Sequence, residues 1–559
     1  MKTILLNLLL LLTSVTAQTP FFEAREATIA SVHTALFTRQ NTCRDVVSAF
    51  IARVEAFNPL INAVITLSPS ALEDADHLDL SLAAENVTGA LFCIPVLLKD
   101  NYDALGMPTT AASTALNSSK PIKDASSVAA LRNAGAVILG KTNLHEFALE
   151  GLSVSSFGGQ TINPYDFART PGGSSGGTGA AIAASFAVFG TGTDTVNSLR
   201  SPASANALYS FRPTYGLISR TGIVPVSWTQ DVIGAIGRSL YDIATVLTVM
   251  ASIGYDPVDN ATSRILASAK DVDYTTALTE PSSLQDIRVG VLYPFFNTTS
   301  STETDPVNTI MSRAITTMSR AGITLVPIND TSAYNIYNAT ALSTNLDVQQ
   351  FEYRESLTSY LSSNLTGPHP TSMPDLYLSN RNTSNFLVIP SQYNYLQNAL
   401  RSSTSNATYA DRLRGIANLT TTLHTMFSSN KLDAIIYPEQ RNLVVPIGSP
   451  SQSGRNGILA ALTGSPVITI PIGFSNATDT APIGVPVGME ILGLPWTESK
   501  LLRIAKGVDD RLHARRTPVT GGINGTAEVT QRYEGVPVIR PSGIANIDKD
   551  AYPLGTFGT

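Results

Sequence analysis

The sequence predicts an α/β protein: a single large α/β/α domain with a mixed, twisted central sheet covered by helices on both faces. Two observations carry this. Short apolar runs such as Leu91–Leu98 and Ala136–Leu139 alternate with amphipathic stretches, the β–α–β rhythm of a layered fold. Apolar runs also recur on both sides of the polar segment 330–430, which points to one shared core.

In chain order, the apolar positions of residues 22–57 are spaced as in a helix, most clearly across Val46, Val47, Phe50, Ile51 and Val54. The strand Leu91–Leu98 follows, and its near-continuous apolar character fits burial on both faces. Asp124 is an N-cap candidate for a helix over Ala125–Ala134, Gly135 stops it, and Ala136–Leu139 reads as the next strand. Ala180–Ala184 and Ser239–Ala251 read as helices. Composition then shifts to Asp, Asn, Ser and Thr over 254–284, the mark of a surface linker. Ile287–Tyr293 restarts a strand, 305–321 is helical, and Ile323–Ile328 is a strand. Residues 330–430, rich in Asn, Ser, Thr and Tyr with weak periodicity, read as a variable helical and loop insertion. Leu432–Tyr437, Val467–Ile472 and Val485–Leu492 return as strands before a final helix over Glu498–Arg511.

The 559 residues carry a net charge of −6 and only 14% charged side chains. That balance argues against nucleic acid or an anionic membrane surface as a partner. Lys2, then the apolar stretch Ile4–Leu12, then Thr13–Ala17 form the pattern of a secretory signal peptide over residues 1–17, with cleavage before Gln18. The stretch is too short to span a bilayer, so the mature chain is expected to be secreted and free of membrane. Twelve Asn-X-Ser/Thr sequons lie at Asn86, Asn117, Asn260, Asn297, Asn329, Asn338, Asn364, Asn382, Asn406, Asn418, Asn476 and Asn524. They suggest a glycoprotein with N-glycans, although some sequons are expected inside the fold. Their density between 297 and 418 marks that stretch as largely exposed. Cys43 and Cys93 are the only cysteines, and an oxidising compartment permits a disulfide between them.

The chemistry concentrates in a Gly/Ser loop. Gly172–Gly179 fails as a phosphate cradle because it lacks the closing Lys-Ser/Thr. Gly173–Gly177 matches the G-x-S-x-G elbow with Ser175 as nucleophile, but no histidine and acid stand in a setting that would serve it. A stronger pattern joins Ser174 and Ser198, 24 residues apart, with Lys99 at the end of an apolar strand. Two serines and a lysine make an acyl-transfer site without histidine. A serine needs a neighbouring base, and a free lysine, with a pKa of about 10.4, is protonated at neutral pH. Burial at a strand end lowers that value and frees the amine to accept a proton. No His/Cys/Asp/Glu group has metal-ligand spacing, so neither metal nor cofactor is expected.

Lys99-Asp100-Asn101, the Gly172–Gly177 loop, Gly192-Thr193-Asp194 and Ser198-Leu199-Arg200-Ser201-Pro202 resemble the amidase signature family in order and spacing. Gly140–Asn143, Glu146–Ala148, Asn163–Tyr165, Phe211–Gly216, Asp231, Pro466–Phe474 and Pro486–Gly493 extend the resemblance over about 25–255 and 430–515. It implies one amidase-signature domain over 18–559, in which Ser198 is the acyl nucleophile, Lys99 the base and Ser174 the bridge, behind a cis Gly173–Ser174 peptide. It also implies an oxyanion hole from the backbone N–H groups of Thr195, Val196, Asn197 and Ser198. Asp194 and Arg200 are read as supports that hold this loop.

The chain departs from the family at Val196-Asn197, where the family usually has two glycines. A β-branched residue resists left-handed backbone, so Val196 is expected at negative φ and any left-handed residue is Asn197. Both side chains are expected to narrow the space beside Ser198. The implied function is hydrolysis of a small-molecule carboxamide through an acyl–Ser198 intermediate, with ester cleavage alongside. Alternatives are an acyltransferase or cyclase using the same acyl-enzyme, or an impaired member that binds an amide without turning it over. Segment 330–430, outside the resemblance, is the region expected to set the substrate.

Overall fold

The computed structural model describes residues 21–87, 89–279, 283–329, 338–378, 388–527, 533–548 and 550–552. The predicted signal peptide lies outside the described residues, as does Asn382. One mixed sheet of eleven strands dominates. In chain order these are β1 (Val64–Leu67), β2 (Pro95–Lys99), β3 (Val137–Thr142), β4 (Phe189–Asp194), β5 (Tyr209–Arg212) and β6 (Val232–Gly237). Then come β7 (Arg288–Leu292), β8 (Thr324–Ile328), β9 (Ala434–Pro438), β10 (Val467–Phe474) and β11 (Pro486–Leu492). Across the sheet they lie in the order β1-β3-β2-β4-β6-β5-β10-β11-β9-β7-β8.

β3, β2 and β4 are parallel neighbours, and so are β9, β7 and β8. The strands between β4 and β9 pair antiparallel. Every residue of β2, β3, β4, β6, β9 and β11 is buried, as strands covered by helices on both faces require. β7 and β8 precede segment 330–430 and β9 follows it, yet β9 sits beside β7 in one sheet.

The structure corrects several boundaries. Residues 22–57 hold two helices, Ile29–Phe37 and Cys43–Ile61. Arg39, at φ 57°, breaks the chain, and a reciprocal capping box between Thr42 and Asp45 restarts it. The predicted strand over 91–98 begins only at Pro95, because Cys93 is left-handed at φ 59° and Leu91–Cys93 form a turn. The Cys43–Cys93 disulfide fastens that turn to the second helix, with Cα atoms 5.7 Å apart.

Asp124 does not cap the helix after it, which starts at Ser126 behind Ala125. Its carboxylate instead accepts from Leu105 N at 2.6 Å and pairs with Arg132 at 3.1 Å. The helix Ala71–Ala83 had no clear signal, since only Ala71, Leu72 and Ala75 are buried on it.

Two predicted surface regions are packed. Segment 254–284 contains short 3-10 turns in which Tyr274 and Leu278 are buried, and Tyr274 N donates to Thr248 Oγ1 at 2.9 Å. The described part of 330–430 is mainly helical: Ala339–Leu346, Gln349–Ser363, Met373–Leu378, Pro390–Arg401 and Ala407–Asn430. Its Tyr353, Leu357 and Leu361 pack with Leu116, Phe147 and Val224 of the sheet-bearing region. Large side chains needed a partner surface, and the loops beyond β2 and β3 supply one.

Candidate active site

β2 and β4 pair in parallel, with Val96 opposite Phe189, so their C-terminal ends adjoin. Lys99 ends one strand, and Thr193 and Asp194 end the other. Ser174 enters from the loop before the helix Gly176–Ala183, after a cis Gly173–Ser174 peptide. Lys99 Nζ lies 2.8 Å from Ser174 Oγ and 2.7 Å from Thr193 Oγ1. Lys99 and Ser174 are fully buried, whereas Ser198 is 8% exposed. Burial disfavours the ammonium and pulls the Lys99 pKa down to about 7, against the opposing pull of the Asp194 and Asp231 carboxylates. Near neutrality Lys99 therefore exchanges readily between a donor ammonium and an acceptor amine.

Ser198 is held beside this pair by its backbone carbonyl, which accepts from Ser175 N at 3.2 Å. Asp194 accepts from Leu199 N at 3.1 Å, Arg200 Nε at 3.0 Å and Arg212 Nη1 at 2.7 Å. Burial alone would raise its pKa, but the two guanidinium groups hold it down to about 2. Arg200 reaches both Glu490 oxygens, at 2.7 and 2.8 Å, and also bonds the Gly457 and Val196 carbonyls. These contacts tie Asp194 and Arg200 into one buried ion network beside the loop that carries Ser198. Gly457 is a required glycine, since a Cβ there would sit 2.4 Å from Val196 O.

Neither Val196 nor Asn197 has a positive φ, so Val196 lies where expected and the loop needs no left-handed residue. Asn197 is buried, and its Nδ2 donates to Glu439 Oε1 at 3.2 Å. Val196 lines the hollow at Ser198 and Asn197 does not, so only one of the two side chains narrows that space. Among the described residues, the N–H groups of Val196, Asn197 and Ser198 donate to no other protein group. They are free to meet an oxyanion. The Thr195 N–H likewise donates to no other group among the described residues, and its hydroxyl donates to Asp231 Oδ1 at 2.6 Å.

Two hollows flank Thr195. The one containing Ser198 has a volume of about 190 Å³ and is walled by Thr195, Val196, Glu150, Arg455, and Asp347, Gln349 and Tyr395 of the insertion. A larger one, about 330 Å³, is lined by Thr193, Asp231 and Trp228 and contains neither serine. The smaller hollow is the one that reaches Ser198. It lies below the roughly 300–1,000 Å³ of pockets for drug-sized ligands.

Ser175 is excluded as an elbow nucleophile, because it is fully buried and its hydroxyl is turned to Thr193 O at 3.4 Å. His145 was missed. Its backbone N–H donates to Ser174 O at 3.0 Å, and burial pushes its imidazole down to about 4, leaving it neutral. Asp347, Gln349 and Tyr395 were missed as well, since they come from separate helix ends and one helix face of the insertion. No local spacing marks them.

This fold and site define an α/β enzyme acting on carbon–nitrogen bonds. The amidase family model matches residues 45–502. The peptide amidase of Stenotrophomonas maltophilia is 32% identical and superposes with a TM-score of 0.78, covering 90% of this chain and 100% of that one. A glutamyl-tRNA(Gln) amidotransferase subunit from Caldanaerobacter subterraneus is 30% identical over 500 residues, 86% of this chain and 96% of that one. The glutamyl-tRNA(Gln) amidotransferase subunit of Thermotoga maritima shares the fold, with a TM-score of 0.67 at 24% identity over 91% of this chain and 99% of that one. The chain belongs to the amidase family.

Proposed function

We propose that this amidase is a secreted glycoprotein that hydrolyses a small carboxamide through an acyl–Ser198 intermediate. Ser174 is the proton bridge and Lys99 the base. The observation that carries the reading is the 2.8 Å contact between the buried Lys99 Nζ and Ser174 Oγ. Ser198 Oγ attacks the carbonyl carbon, and its proton passes through Ser174 to the neutral Lys99 amine. The N–H groups of residues 195–198 meet the charge that forms on the carbonyl oxygen. As the C–N bond breaks, the proton returns through Ser174 to the leaving nitrogen, which departs as ammonia or an amine. Water then gives a proton to the same relay and attacks the Ser198 ester, and as the C–Oγ bond breaks the relay returns that proton to Ser198 Oγ and the acid leaves.

Secretion is supported by where the sequons fall. Of the eleven sequon asparagines among the described residues, nine are exposed, two are half-buried (Asn297 and Asn364) and none is buried. The expectation that some lie inside the fold does not hold for these eleven. By contrast, eight asparagines outside sequons are buried: Asn58, Asn62, Asn101, Asn143, Asn163, Asn197, Asn206 and Asn456. Glycan acceptors must reach solvent, and the Cys43–Cys93 bridge fits an oxidising compartment.

The test is fluorophosphonate labelling of the secreted protein with peptide mapping. An adduct on Ser198 that disappears in Lys99→Ala is the expected result. An adduct elsewhere, or equal labelling of Lys99→Ala, overturns the assignment. Because relatives include amidotransferase subunits, product masses in the presence of added amines separate hydrolysis from acyl transfer. A mobility shift on treatment with peptide N-glycosidase, absent if the asparagines are bare, tests glycosylation.

A further inference from the structure

The wall of the Ser198 hollow opposite the nucleophile loop takes Asp347, Gln349 and Tyr395 from the insertion and Glu150 and Arg455 from outside it, and its charges do not cancel. Glu150 and Arg455 form a pair at 3.3 Å. That leaves Asp347 as the lining carboxylate without an ion pair among the described residues. Its oxygens accept from Gln349, at 3.0 Å from the backbone N and 2.6 Å from Nε2, and the neutral Gln230 amide also eases its charge. Arg412 approaches from behind and bonds the Asp347 backbone carbonyl, which moderates the charge without placing a cation in the hollow. Burial raises the Asp347 pKa, a penalty on its charged form that a cation bound beside it offsets.

Tyr395 lines the same wall, and its buried hydroxyl has no hydrogen-bond partner among the described residues. A buried hydroxyl left unpaired is destabilising, so the phenol is unsatisfied until a polar group reaches it. Carboxylate and phenol together offer acceptors and one donor. A group with several N–H donors and a positive charge answers both.

We infer that the hollow takes amides whose acyl part carries an ammonium group, held by the Asp347 carboxylate and the Tyr395 hydroxyl; this rests on the amidase reading above. The reaction is unchanged: the amide C–N bond breaks, water supplies the acid oxygen, and ammonia leaves. Asp347 and Tyr395 bind one end of the substrate while Ser198 attacks the other. The volume of about 190 Å³ confines the acyl part to roughly amino-acid size. A neutral acyl group of that size would leave the carboxylate facing a group that cannot pair with it, which a polar site penalises.

The experiment compares kcat/KM of the secreted full-length protein for glycinamide and glycolamide, and for alaninamide and lactamide. The members of each pair differ in ammonium against hydroxyl. The ammonium-bearing member is expected to be preferred at least tenfold. Asp347→Asn is expected to cut that preference at least fivefold, and Tyr395→Phe by a smaller factor. Comparing preferences within one preparation cancels both the intrinsic reactivity of the amides and any loss of folded enzyme. Equal or better turnover of the neutral amides overturns the inference, as does a preference that survives Asp347→Asn. Ser198 labelling by fluorophosphonate with no turnover of any of the four amides overturns it too, while leaving the amidase reading standing. Neither labelling nor turnover overturns both.

Discussion

The two walls of the Ser198 hollow are built by opposite means. The nucleophile wall hangs from the ends of β2 and β4 and is locked by fully buried ions, with Asp194 bonded to Arg200 and Arg212, and Arg200 to Glu490. The insertion wall is held by apolar packing and by hydrogen bonds with charged partners, among them Glu352 accepting from Thr229 and Arg412 donating to the Asp347 carbonyl. Among the described residues it leaves Asp347 without an ion pair and the Tyr395 hydroxyl without a partner. One wall pairs Asp194, Arg200, Arg212 and Glu490 with one another inside the protein. The other faces the hollow with polar groups still available. The difference separates the chemistry, which demands fixed geometry, from recognition of the acyl part, which demands groups left open to a ligand.

The largest effect expected is on rate. Ser198→Ala and Lys99→Ala should each lose at least about a thousandfold in kcat while keeping the far-ultraviolet circular dichroism of the wild type. Turnover retained in either breaks the division between the walls at once. Next comes the ion lock. Arg200→Met strands the buried Glu490 and leaves Asp194 to Arg212 alone, and should cost about 3–5 kcal/mol of stability, read by denaturant unfolding. The Glu150–Arg455 pair that also lines the hollow keeps 13% and 33% side-chain exposure, and Arg455→Met should cost less than about 1 kcal/mol.

Lys99→Met should be inactive yet more stable than wild type near neutral pH. The folded pKa of Lys99 is depressed to about 7 from 10.5, so between those values the unfolded chain holds the extra proton. Wild-type stability therefore rises with pH across that window. The Met variant lacks this slope, and its advantage, of order 1–4 kcal/mol, should be full at and below pH 7 and gone above 10.5. Thermal unfolding at several pH values reads this directly. The same titration should make kcat/KM fall as pH drops below about 7, because the protonated lysine cannot accept the Ser174 proton. The smallest expected effect is on the insertion side. Gln349→Ala, which frees Asp347 Oδ2, should change KM by less than about tenfold and leave kcat close to wild type.

Much of the nucleophile wall was legible in advance because it is local. Lys99 ends an apolar run, and Ser174 and Ser198 sit in glycine-rich turns whose residue types announce close backbone approach. The insertion wall was not legible, because Asp347, Gln349 and Tyr395 have no shared motif. Their polar character looks the same in sequence whether it meets water or a ligand.

Read alone, the residues specify the layered α/β class, most strand and helix positions, the serine–serine–lysine set and the pairing of Cys43 with Cys93 once the compartment is granted. Hydrophobic period and turn chemistry are written within a few residues of each other, so no distant partner is needed to read them. It took the assembled fold to turn Asn197 to Glu439 and away from Ser198, to seal Ser175 beneath Thr193, and to face an acidic side chain of the insertion toward the nucleophile. Those outcomes depend on groups from 18 to 242 residues apart meeting in a solvent-excluded space, where burial and pairing, set by the whole fold, give each polar atom its role.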